Sequence, residues 1–178
     1  MPEIITIPTE RPDVVLQSRS IADDQAFADS YTASRDTIGL FEPLDHIRTA
    51  TQAAIDRMSS IQVGKHKISV LEAGVFVGCI TYMPRGDKEA ELGGWIDSNH
   101  VQKGIATTAI RAFTGYALER HEMVFGRVKP DNVGSARVLQ KAGFTLRVPG
   151  ADWHIYRRYA PFCEPVNLND PNNQRAFY

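Results

Sequence analysis

Apolar positions along this chain recur in two periods, and the change of period divides it. After Gly104 the spacing is helical: Ile105, Ala109, Phe113 and Ala117 stand four apart and share one face of a helix expected to run to about Arg120. Upstream lie three segments dense in β-formers, Ile68–Leu71, Val75–Tyr82 and Glu89–Ile96. Two turn sequences separate them, Glu72-Ala73-Gly74 and Pro84-Arg85-Gly86-Asp87, so the three predict an antiparallel meander. In the third, Leu92 to Ile96 reads as a buried strand. The paired Gly93-Gly94 inside it predicts a bulge or a close approach by a ligand or another backbone.

The flanks follow the same logic. Val14-Val15-Leu16 predicts a short strand. Ser20 to Ser30, with Ile21, Phe27 and Tyr31 and with Asp23 and Asp24 near its start, predicts a first helix. Gly39-Leu40-Phe41-Glu42-Pro43 breaks it. Pro43 to Met58 predicts a second, with Leu44, Ile47, Ala54, Ile55 and Met58 on one face. Val124–Val128 is a strand, and the helix between two buried strands makes a β-α-β unit whose strands run parallel. Asn132 is a good N-cap for a further helix ending at Ala142-Gly143-Phe144. Gly143 fits the left-handed position past the helix end, with Phe144 packing back on Leu139 or Val138. Thr145–Val148 and Trp153–Tyr159 are the last strands. Residues 1–13 are expected to be irregular, and the tail from Pro161 to Tyr178 loosely held. The class is α/β: two early helices, a mostly antiparallel sheet, then a β-α-β unit and a further helix.

Composition narrows the function. At 178 residues the chain fits one domain, expected over residues 1–160 with a tail at 161–178. A net charge of −1 with dispersed basic residues argues against nucleic acid and against a membrane surface, and leaves a small anionic cofactor open. No apolar run approaches the roughly 18 residues of a membrane helix. Cys79 sits in an apolar run and Cys163 far from it, which fits reduced thiols and the cytoplasm better than a disulfide framework. With no H-E-x-x-H, no CxxC and no G-x-S-x-G, neither a metal site nor a hydrolase triad has support.

The chemistry points to the end of the third meander strand. A strand that turns through a glycine into a helix leaves backbone N–H groups unpaired, and with the helix dipole these form a phosphate site. Lys103 adds a cation there. A plain strand–helix turn gives the same pattern.

The stretch Asn132-Val133-Gly134-Ser135-Ala136-Arg137-Val138-Leu139-Gln140-Lys141-Ala142-Gly143-Phe144 resembles the N-x-x-S-x-x-V-L-x-K-x-G-F signature of the GNAT superfamily of N-acetyltransferases, in its RimJ/RimL-type branch. Gly93-Gly94-Trp95-Ile96 resembles the G-Y-W-I strand before the family's pyrophosphate loop. Val101-Gln102-Lys103-Gly104-Ile105-Ala106 resembles the Q/R-x-x-G-x-G/A loop itself, and Phe76-Val77-Gly78-Cys79-Ile80 the F-I-G-x-I strand. Val101 departs from the usual Gln or Arg. The resemblance covers about residues 14–159. It implies the acyl-CoA N-acyltransferase fold: a mixed, mostly antiparallel sheet with splayed middle strands and helices on both faces.

It also implies transfer of an acetyl group from acetyl-CoA to a primary amine, by direct attack in a ternary complex. The acceptor would be a protein N-terminus or a small molecule, and a homodimer is compatible. Gln102, Lys103, Gly104, Ile105, Ala106 and Thr107 would cradle the pyrophosphate. Trp95 and Ile96 would pair their backbone with the pantetheine arm, with Asn132 contacting the pantetheine or thioester region. Ser135 would serve the leaving sulfur, against the plain reading of a solvated hydroxyl. Capping of its helix by Asn132 is compatible with that contact. No tyrosine follows Asn132 closely, so the tyrosine acid of many members is absent. Glu91, four residues before Trp95 and on its face, is the candidate base or water-holding carboxylate. His46, His100 and His154 are rivals, and His66 and His121 read as solvated loop residues. A CoA-binding sensor or interaction module without catalysis is the competing class. A doubly wound nucleotide-binding domain is disfavoured by the antiparallel run from Ile68 to Ile96.

Overall fold

The computed structural model describes residues 5–18, 24–39, 66–161 and 163. In chain order these form strands β1 (Thr6–Pro8) and β2 (Val14–Ser18), then helix α1 (Asp24–Gly39). Next come the meander β3 (His66–Glu72), β4 (Val75–Pro84) and β5 (Glu89–Ile96), and helix α2 (Ile105–Leu118). Strand β6 (Met123–Val128), helix α3 (Val133–Lys141) and strands β7 (Thr145–Val148) and β8 (His154–Tyr159) complete the fold. The strands form one sheet ordered β1-β2-β3-β4-β5-β6-β8-β7. Every neighbouring pair is antiparallel except β5 and β6, which run parallel.

Local chemistry sets the meander. Ala73 and Gly74 have φ of 51° and 79°, the paired left-handed conformation of a two-residue hairpin whose twist matches the flanking strands. At the next turn the Arg85 N–H donates to the Glu89 carbonyl at 2.7 Å. Helix α3 begins and ends as its sequence dictates. The Asn132 Oδ1 accepts the Ser135 N–H at 2.9 Å. At the other end Gly143 has φ 90° and the Phe144 N–H closes on the Leu139 carbonyl at 3.0 Å. Leu139 and Phe144 are both buried in the main core.

Two apolar clusters hold the layers. Ile68, Val70, Ala90, Leu92 and Val124 of the sheet pack with Ile105, Phe113 and Leu139 of α2 and α3. Phe27 and Tyr31 of α1 pack with Phe76, Cys79 and Trp95. Helices therefore cover both faces, as the fold class requires.

Helix α1 ends at Gly39, where the break is expected, and Ser30 and Ser34 are buried on the side it turns to the sheet. Several boundaries differ from expectation. Thr6–Pro8 is a strand rather than irregular chain. It is the sheet's edge, where proline costs no interior hydrogen bond. Strand β3 starts at His66, so that histidine lies in the sheet and not in a loop. The helix expected at Pro43 to Met58 and His46 lie outside the described residues. The expected buried strand from Leu92 to Ile96 is buried only at Leu92; Gly93, Trp95 and Ile96 are half-buried and Gly94 is exposed. The reason is that β5 and β6 part before these residues. Strands β5 and β6 pair at Glu89–Met123, Ala90–Val124 and Glu91–Phe125, and then part.

Candidate active site

Beyond Glu91 each strand keeps only its outer partner. Strand β5 stays on β4 as far as Ile96, and β6 stays on β8 as far as Val128. The gap opens toward the C-terminal ends of both parallel strands, and each strand leads there into a helix start, α2 and α3. Glycine shapes the β5 side. A Cβ on Gly94 would stand 2.6 Å from the Cys79 carbonyl oxygen, so the expected close approach is by strand β4. A Cβ on Gly93 would meet none of the described residues within 4 Å.

The turn from β5 to α2 is tightly wound. Gln102 has φ 63° and Gly104, the N-cap of α2, φ 80°. The first bond of the helix is Thr108 N–H to Gly104 O at 3.0 Å. The N–H groups just before it are the orphan donors of a helix start, at the positive end of its dipole. The Arg11 Nη1 donates to the Lys103 carbonyl at 2.9 Å, which fixes the turn from the β1–β2 side.

Asp97 anchors the turn from beneath. It is 6% exposed, and its Oδ2 accepts the Ser30 hydroxyl at 2.7 Å. Its Oδ1 accepts the Asn99 N–H at 2.8 Å and faces His100 Nδ1 at 3.4 Å. Burial alone would raise this carboxyl's pKa. The hydrogen bonds from Ser30, Asn99 and His100 outweigh burial and hold it below the ordinary aspartate value. The Ser98 N–H donates to Ser34 Oγ at 2.9 Å. Helix α1 thus grips the loop through two serines one turn apart. Asp97, Ser30 and Ser34 were not singled out in the sequence; the only signal was Ser30 and Ser34 at helical spacing with Phe27 and Tyr31.

Glu91 lies in the last β5–β6 pair, 5% exposed. Its Oε2 accepts from Arg85 Nη2 at 2.5 Å and Nε at 3.1 Å, and its Oε1 accepts from Arg127 Nε at 2.8 Å. Among the described residues Oε1 accepts no second donor, so it can accept one more. The Trp95 ring is packed into the α1 cluster, with centroids 5.6 Å from both Phe27 and Tyr31, so it is the backbone of Trp95 and Ile96 that borders the gap. Asn132 uses its side chain as a helix cap, and Ser135 is exposed one turn into α3. His100 sits beside the turn. His154 Nδ1 accepts the Gly150 N–H at 3.3 Å. His121 is anchored rather than solvated: its Nδ1 donates to the Asp87 carbonyl at 3.2 Å, and its Nε2 accepts the Tyr82 hydroxyl at 2.5 Å. Among the described residues no His, Cys, Asp and Glu side chains cluster as a metal set. No helix among them is long and apolar enough to cross a membrane.

The model of the acetyltransferase (GNAT) domain matches residues 14–145, which span β2, the splayed strands and both helix starts. The chain belongs to the GNAT acetyltransferase family. The relatives agree with this GNAT assignment. A probable N-acetyltransferase, YjcK of Bacillus subtilis (strain 168), is 44% identical over 59 residues; the match spans 31% of this chain and 32% of that protein. The Mycobacterium smegmatis RimJ structure, in complex with CoA-disulfide, is 21% identical with a TM-score of 0.71, over 88% of this chain and 87% of its own. A Salmonella typhimurium acetyltransferase described as modifying the N-terminal serine of ribosomal protein L7/L12 is 16% identical. Its TM-score is 0.71 over 87% of this chain and 99% of its own. At these identities the two structures establish a shared GNAT fold, with the RimJ/RimL type as its neighbours.

Proposed function

We propose that this GNAT chain, as one domain over residues 1–160, is an acetyl-CoA-dependent N-acetyltransferase. It moves an acetyl group to a primary amine, on a protein N-terminus or a small molecule, by direct attack within a ternary complex. The splay carries this reading: the parallel pairing ends at Glu91–Phe125, and both strands then run into helix starts at the open end. The half-exposed edge from Gly93 to Ile96 offers main-chain donors and acceptors to the amides of a pantetheine arm. The N–H groups of Gln102 to Thr107, with Lys103, receive the pyrophosphate. These groups fit acetyl-CoA, which supplies the activated thioester. The Salmonella relative, described as modifying the N-terminal serine of L7/L12, supports a protein N-terminus among the acceptors.

The chain's own groups then have distinct tasks. Holding the amine against the thioester supplies several kcal/mol by proximity. Glu91, through Oε1, holds a water that relays the ammonium proton to its carboxylate. The exposed Ser135 hydroxyl donates to the departing sulfur. Asn132 keeps the start of α3 in register beside it.

Calorimetric titration with acetyl-CoA, with CoA and ATP as controls, followed by thiol release over a panel of amines, tests the proposal. Acetyl-CoA should bind and ATP should not. Ser135→Ala should lower kcat more than it weakens acetyl-CoA binding. No acetyl-CoA binding at millimolar concentration would overturn the assignment. Binding without turnover across the panel would leave a CoA-binding module.

A further inference from the structure

Three arginines ring the point where β5 and β6 part, and one carboxylate faces them. Arg85 and Arg127 both bond to Glu91, with side chains 48% exposed, so each guanidinium keeps donors directed outward. Arg157 pairs with Phe125, which pairs with Glu91. Side chains at paired positions share a sheet face, so Arg157 stands on the Glu91 face. Its Nε is buried and makes no hydrogen bond among the described residues. A buried donor without an acceptor costs about 1–3 kcal/mol, and an anion beside it recovers that cost. Trp153 packs beside the group, its ring centroid 5.7 Å from the Arg127 guanidinium.

The position of this cluster relative to the splay decides its use. The opposite face is filled by Leu92, Val124, Phe113 and Leu139, so nothing reaches the apex from there. On the Glu91 face a Cβ on Gly93 would meet none of the described residues within 4 Å. An amine that approaches the apex across Gly93 has the arginines beside it.

We infer that the acceptor carries a carboxylate close to its amine, which Arg85, Arg127 and Arg157 bind. This rests on the acetyltransferase reading and names its substrate class. The carboxylate belongs to a free amino acid or to an acidic residue near a peptide N-terminus.

Thiol release from the full chain with acetyl-CoA tests it in two matched pairs. One pair is L-serine against L-serinamide. The other is a C-terminally amidated tetrapeptide with Asp second against the same peptide with Asn second. The carboxylate member of at least one pair should show a kcat/KM at least about tenfold higher, and the pair that responds identifies the source. Arg157→Gln should erase that ratio while the calorimetric Kd for acetyl-CoA stays unchanged, and Arg157→Lys should restore part of it. A merely structural role would lower both members of a pair equally. Equal kcat/KM within both pairs overturns the inference, as does a ratio that survives both Arg157→Gln and Arg127→Gln. Turnover of neutral or cationic amines alone overturns it and leaves the enzyme reading standing. Acetyl-CoA binding with no amine turned over overturns the enzyme reading, and the inference with it.

Discussion

Gly104→Ala separates the cost of a backbone conformation from the cost of losing a phosphate site. Gly104 sits at φ 80°, where a residue with a Cβ costs roughly 1–2 kcal/mol. The new methyl meets no atom within 4 Å, so no clash adds to that figure. For a chain of this size the loss corresponds to a fall in Tm of about 2–8 °C. If the turn relaxes toward negative φ, the N–H groups of Ile105 and Ala106 swing off their common direction. One charge-assisted hydrogen bond to a phosphate is worth about 1.5–3 kcal/mol, so the Kd for acetyl-CoA should weaken about 10- to 150-fold. Thermal unfolding of the free protein and calorimetry with acetyl-CoA measure the two effects. S-acetyl-pantetheine, which lacks the pyrophosphate, is the control and should bind both proteins alike. An unchanged acetyl-CoA Kd, or an equal loss for S-acetyl-pantetheine, would refute the phosphate site at this turn.

Other expectations test neighbouring parts. Asp97 is held below the ordinary aspartate value, so its contribution is complete at neutral pH and is lost as pH falls through the folded value. Asp97→Asn should therefore flatten the acid limb of a Tm–pH curve, and an unchanged limb would refute the anchoring role. Gly94→Ala places a methyl 2.6 Å from the Cys79 carbonyl oxygen and should cost about 1–3 kcal/mol in urea unfolding. Gly93→Ala, with nothing within 4 Å, should cost less; the reverse order would show that β4 and β5 are spaced differently. Asn132→Ala removes the cap on the Ser135 N–H and should cost about 0.5–2 kcal/mol by the same measurement.

What could be read from the sequence was what is decided locally. Asn132, Gly143 and Phe144 delimit α3 within its own residues, and Ala73-Gly74 and Gly86 fix the meander turns. What was missed depended on distant partners. Nothing local marks Ser30 and Ser34, because the groups they bond, Asp97 and Ser98, lie 67 and 64 residues away. Thr6–Pro8 becomes a strand only because β2 is beside it. Glu91 stood out as a carboxylate on the right strand. Its partner Arg127, 36 residues on, is brought in by the register of the β5–β6 pairing; the β-α-β pattern predicts that these strands run parallel but not which residues meet. The same pairing, by ending early, turned an expected buried strand into an open edge.

That pairing also sets where the molecule yields. The five strands before α2 and the three after it each form by antiparallel neighbours. The two halves of the sheet join through three residue pairs and the α2 crossover. Loop closure over the crossover comes before that joining is rewarded, so the seam is the last part of the sheet to assemble and the first to open. In native-state hydrogen exchange, amides at Ala90 to Phe125 pairings should open at lower free energy than those of β3 and β4. A ligand lying in the gap then works as a mortar strand, raising the protection of both halves together without touching most of either.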